Sequence, residues 1–157
     1  MSKTRIMSEE TWLRHANPKS GWSRILSLPF LFPPIWYMSL FFANPLANWW
    51  PLVWLIIYGI WSAVNPRIFS KPDNYDNWAS KGVLGEKIWT AKGERDIHFW
   101  MNVVSGIFFI PTIIVTYLQL FWEMMFFASI AFLMKMWFVD RMSFYYEKHQ
   151  DEVILPD

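Results

Sequence analysis

The side chains with the most chemistry to offer are three histidines, His15, His98 and His149, each at the edge of an apolar block. Glu94 and Asp96 stand near His98, and Glu147 and Asp151 near His149, so folding could assemble a metal centre from them. The local spacing does not ask for one. No pair is arranged as H-x-x-H, H-E-x-x-H or E-x-x-H, separations that put two ligands on one face of a helix, and the plain reading is three separate surface histidines with no metal. Asp73-x-Tyr75-x-Asn77 begins like a calcium loop, but Tyr75 and Leu84 stand where its third and twelfth positions need oxygen ligands. The chain has no cysteine, which excludes disulfides, thiolate metal sites and cysteine nucleophiles. It has no phosphate loop, nucleophile elbow, dinucleotide fingerprint or kinase motif. No catalytic residue and no cofactor is predicted.

Glu123 and Lys135 are the two charges inside the last apolar block, and an ionisable group at membrane depth is a functional candidate by default. They are too far apart to pair, about 18 Å along a helix axis. Glu123 lies one turn from one end of the block with Gln119 four residues before it. Lys135 lies about one turn from the other end, with Asp140 nearby. Long side chains so placed reach the headgroups, so interfacial anchoring or packing against a partner competes with proton or ion handling. Pro29, Pro33, Pro34 and Pro111 each remove a backbone donor within apolar sequence, which lipid tolerates only where protein or water satisfies the freed carbonyls. They are either packing kinks or the breaks of a binding site. Gly59 with Ala63 and Ala128 with Ala131 are small faces that permit close helix packing or partner contact.

The elements that must position these residues follow from composition. Of 157 residues, 54% are hydrophobic and 17% charged, and twelve Trp and fourteen Phe need an apolar solvent; a soluble domain of this size has too much surface for that. Four blocks of 19 or 20 residues, Ile25–Ala43, Leu46–Val64, Phe99–Leu118 and Leu120–Val139, match the roughly 30 Å of a bilayer's hydrocarbon. Asn44-Pro45 separates the first two and Gln119 the last two, so the sequence predicts an all-α membrane protein with four transmembrane helices in two tight hairpins.

Lys and Arg set the expected orientation. Residues 1–24 carry Lys3, Arg5, Arg14, Lys19 and Arg24; the central loop carries Arg67, Lys71, Lys81, Lys87, Lys92 and Arg95; Arg141 and Lys148 follow the last block, and the hairpin tips have none. The positive-inside rule then places both termini and the central loop in the cytoplasm, with the chain a multi-pass protein of the cell membrane. Trp49, Trp50 and Trp122 fall at the outer interface and Trp22, Trp100 and Trp137 at the inner one. No apolar core with a cleavage site precedes residue 24, so no secretory signal is expected. Net charge is +1 without a basic, aromatic-interleaved run, which argues against nucleic acid.

The chain divides into an N-terminal interfacial segment (1–24), a first hairpin (25–64), a central loop (65–98), a second hairpin (99–139) and a tail (140–157). Ser8 predicts the cap of a short helix with Glu9 and Glu10 in its first turn, ending before Asn17-Pro18. Residues 76–89 predict a second interfacial helix with Trp78, Ala79, Val83, Leu84, Ile88 and Trp89 facing lipid, weakened by two glycines. Trp22, Ser27, Phe30, Pro33, Ile35 and Leu40 match Trp100, Ser105, Phe108, Pro111, Ile113 and Leu118, 78 positions later; these identities read either as a faint parallel duplication of the hairpins or as coincidence in so aromatic a sequence.

The stretch Arg14-His15-Ala16-Asn17-Pro18-Lys19-Ser20-Gly21-Trp22-Ser23-Arg24, with Val64-Asn65-Pro66, Trp78-Ala79 and Leu84-Gly85-Glu86, resembles a family of small prokaryotic integral membrane proteins of unknown function. The resemblance implies a membrane location and no activity. From the residues, the leading expectation is a non-catalytic accessory subunit of a larger membrane complex, such as an oxidase or monooxygenase, with lipid and other membrane subunits as partners and lipid bound to its aromatic faces. The alternatives are a small homo-oligomeric transporter or channel and a membrane enzyme with a metal site at the cytoplasmic face.

Overall fold

The structure, a computed structural model, describes residues 7–152; Lys3 and Arg5, two of the basic residues counted above, lie outside them, as does the end of the tail. The described residues are helical throughout, without a strand. Helix α1 (Glu9–His15) starts as its sequence dictates: Ser8 accepts from the Thr11 amide at 3.2 Å, with Glu9 and Glu10 in the first turn. Asn17-Pro18 ends it and begins α2 (Pro18–Ser27), the Asn17 side chain capping the Lys19 amide at 2.9 Å.

The first apolar block does not form one regular helix. Its prolines divide Pro18–Ala43 into α2, a 3-10 turn (Leu28–Leu31), α3 (Phe32–Trp36) and α4 (Met38–Ala43). The carbonyls this frees find donors elsewhere in the chain. Phe30, whose helical donor would have been the nitrogen of Pro34, accepts instead from Trp54 Nε1 at 2.9 Å, and Trp36 accepts from Gln119 Nε2 at 2.9 Å. Trp54 belongs to α5 (Trp50–Ile68), which returns alongside.

The second hairpin, α7 (Ile97–Tyr117) and α8 (Phe121–Lys148), is packed tightly along its length, and α7 passes Pro111 without interruption. Ser105 Oγ donates across to the Ala131 carbonyl at 2.8 Å. Gln119 turns the tip in the left-handed region at φ 60°, and the Leu120 amide closes on the Val115 carbonyl at 2.9 Å. Among the described residues, three helical runs are long and apolar enough to cross a membrane: Pro18–Ala43, Ile97–Tyr117 and Phe121–Lys148. Helix α5 is not among them; the last turn of its 19 residues holds Asn65, Pro66 and Arg67.

Helix α6 (Trp78–Lys92) differs from its expected role. Ala79, Val83, Leu84, Ile88 and Trp89 are buried within the protein and do not face lipid. The two glycines explain the difference. Gly85 lies directly on the Met142 carbonyl of α8 and Gly82 on Val139, where an added Cβ would be 2.8 Å from Val139 Cγ1. They cost helix propensity but let α6 lie flat on α8, and two buried clusters result: Leu13, Ala16, Val83, Leu84, Ile88 and Tyr146 in one, Trp89, Met101, Phe138 and Met142 in the other. The first hairpin is held to this body by α1, α6 and the α3–α7 contact; α5 packs on α1, α3 and α4 and not appreciably on α7 or α8. A gap remains between the hairpins.

Candidate functional site

At the end of the bundle carrying α1 and α6, a buried polar network ties α1 to the first hairpin beside that gap. The sharp turn at Asn17-Pro18 folds His15, the last residue of α1, back onto α2, and α5 brings Asn65 to the same point. His15 Nδ1 lies 2.9 Å from Ser20 Oγ, Ser20 Oγ donates to Asn65 Oδ1 at 2.7 Å, and Asn65 Nδ2 donates to Ser23 Oγ at 2.8 Å. Arg24 Nη1 lies 3.2 Å from His15 Nε2. These contacts fix the proton on His15. The Ser20 hydroxyl hydrogen is used on Asn65, so Ser20 accepts from Nδ1–H; a guanidinium can only donate, so Nε2 accepts and is unprotonated. The histidine is therefore neutral, and burial, reinforced by the positive charges of Arg24 and Lys135, lowers its pKa from 6.5 to about 4.

Beyond the network the gap opens into a cavity of about 770 Å³. Its wall near the network carries Arg24, Glu86, Asn102 and Lys135. Lys135 donates to Asn102 Oδ1 at 3.0 Å, is 3.6 Å from Glu86 Oε1, and sits 4.5 Å from the centre of the Phe138 ring. It is thus turned toward α6 and α7. Arg24 has no carboxylate partner among the described residues. Further along the cavity the lining becomes apolar: Leu28 and Phe32 from the first proline-broken run, Tyr58 from α5, Phe109 from α7, and Ala128 and Phe132 from α8.

The expected small faces are divided by this arrangement. Ala131 is buried at the α7–α8 contact and Ala128 lines the cavity. Gly59 and Ala63 lie on the exposed face of α5, and a Cβ on Gly59 would meet nothing within 4 Å. Glu123 is exposed near the hairpin tip, without an ion pair or side-chain hydrogen bond among the described residues.

His98 and His149 come to one cleft, of about 450 Å³, on either side of Tyr145: His149 stacks on its ring at 4.3 Å and His98 meets its edge at 6.1 Å. Asp96 caps α7 and holds His98 Nδ1 at 2.5 Å. Burial opposes ionisation of Asp96, but hydrogen bonds from His98, the Phe99 amide and the Trp89 indole keep its carboxyl below the usual range. His15 belongs to the separate network. Among the described residues no three His, Cys, Asp or Glu side chains gather as metal ligands.

Sequence reasoning missed Ser20, Ser23, Arg24, Asn65, Glu86 and Asn102 as one site. A signal was present: Ser20, Ser23, Arg24 and Ser27 are spaced 0, 3, 4 and 7 residues from the first, a polar stripe down one side of a helix.

A family model described as a family of unknown function, DUF6653, matches residues 1–153, and the chain belongs to that family. Neither a search of curated proteins nor one of solved structures found a match.

Proposed function

We propose that this DUF6653 member is a four-span protein of the cell membrane, with both termini and the α6 segment on the cytoplasmic side, acting as a non-catalytic subunit of a larger membrane complex. Helix α5 would be the fourth span: 19 residues rise about 28 Å, close to the hydrocarbon thickness, and Arg67 at its end can snorkel. The distribution of basic residues argued above supports the orientation.

The observation that carries the association is the open side of α5. Its side toward α2 and the 3-10 turn is tied down by Asn65, Trp54 and Trp61, the last through Nε1 to Ser27 Oγ at 3.2 Å, while Val53, Ile56, Ile57 and Ile60 are exposed with Gly59 and Ala63 among them. In lipid, apolar side chains gain little by leaving the solvent, so helices associate where small residues let backbones approach. A helix from another subunit is the occupant such a face fits.

Purification in mild detergent from the native host should recover the chain with a partner, and Gly59→Leu should release it while the chain stays folded. Recovery of the wild-type chain alone would refute the reading, and a homo-oligomer would favour a transporter.

A further inference from the structure

We infer that the cavity between the hairpins is a binding site for an anionic membrane lipid, its head on Arg24 and its chains running toward Phe32 and Phe109. The inference uses the membrane placement proposed above but needs no partner subunit.

Three observations converge. First, polarity changes in the same direction along four stretches of the lining: from Arg24 to Leu28 and Phe32, from Ser62 to Tyr58, from Asn102 to Phe109, and from Lys135 to Phe132 and Ala128. A lipid of the cytoplasmic leaflet has that same gradient, head at the interface and chains toward the midplane. Second, the charged end is not self-neutralising. Lys135 faces Glu86, His15 is neutral, and Arg24 spends one N–H on His15 and has no carboxylate partner among the described residues. A planar guanidinium with donors to spare matches a phosphate or carboxylate. Third, the volume of about 770 Å³ lies in the range of small-molecule sites, roughly 300–1,000 Å³, and α5 does not seal it against α7 or α8, so a lipid can enter sideways.

The full chain, delipidated in detergent, is offered dioleoyl phosphatidylglycerol or dioleoyl phosphatidylcholine in mixed micelles, and bound lipid is read by native mass spectrometry. The chains of the two lipids are identical, so a difference reads the head alone. The anionic lipid should be retained about fivefold better, the effect of one basic side chain on an anionic head. Arg24→Gln should abolish the preference and Arg24→Lys keep most of it. Ala128→Trp, which fills the apolar end and leaves Arg24 in place, should reduce retention of both lipids, and it tests the site even if Arg24→Gln disturbs folding. Equal retention of the two lipids by the wild type would overturn the inference, as would unchanged binding by Ala128→Trp. Competition by glycerol phosphate as strong as by the intact lipid would show a small-anion site instead. Failure of the membrane placement would appear separately, in cysteine labelling.

Discussion

At the scale of single residues, the most constrained group is His15. Its neutral form is required by both ring nitrogens at once, Nδ1–H on Ser20 and Nε2 under Arg24, and its pKa of about 4 lies below the 6.5 of an exposed histidine. Between those values the unfolded chain binds the proton that the folded chain refuses, so stability is complete above pH 6.5 and falls as pH drops toward 4. The full shift corresponds to an order of 3 kcal/mol. Thermal unfolding followed from pH 7 to 4.5 should therefore show a decline that His15→Gln flattens, because glutamine can donate to Ser20 and accept from Arg24 without titrating. An identical pH profile for the two proteins would mean the histidine is not held neutral.

At the scale of elements, α6 reverses the usual expectation for glycine. In an isolated helix Gly→Ala gains about 1 kcal/mol. At Gly85 the new Cβ would overlap the Met142 carbonyl, and backbone cannot move aside as a flexible side chain can; overpacking of this kind costs about 1–3 kcal/mol or more. Gly85→Ala should lower the thermal midpoint in detergent. Gly106→Ala on α7, with nothing within 4 Å of its Cβ, should leave it unchanged or raise it. If both substitutions behave alike, α6 does not lie on α8 as described. The first hairpin shows the converse: Pro33 and Pro34 break the helix, and the indole of Trp54 supplies the donor that the prolines removed.

At the scale of the whole molecule, one body made of α6, α7 and α8 carries a looser first hairpin, joined at the network end through α1, where Ser80 Oγ of α6 donates to the Ala16 carbonyl and His15 meets Ser20, and at the tips by Gln119 and Trp36. The topology proposed for it can be tested directly, because the chain has no native cysteine. Single cysteines at Asn74 and Ala47 should behave oppositely toward an impermeant thiol reagent applied to intact cells: position 47, in the first hairpin tip, is labelled and position 74 is protected. Labelling at 74 would reverse or abolish the orientation.

What the sequence determined by itself were the features that depend on local chemistry. Block length and apolarity mark the two helices of the second hairpin, Ser8 and Asn17-Pro18 fix where α1 begins and α2 takes over, and Gln119 marks the second hairpin's turn. A resemblance to a family of unknown function was legible from contiguous motifs around Asn17-Pro18 and Ser20–Arg24, and the chain does belong to such a family. Tertiary structure decided whatever depended on which surface meets which. The apolar residues of α6 have the same pattern whether they face lipid or α8, and only the approach of Gly85 to Met142 distinguishes the two. Asn65 reads locally as the polar end of a helix; its role comes from Ser20 and Ser23, 45 and 42 residues away. The charged end of the cavity likewise draws Arg24, Glu86, Asn102 and Lys135 from four different helices. No periodicity within one helix records such a meeting, because period reports the face a residue occupies and not the partner that face will find.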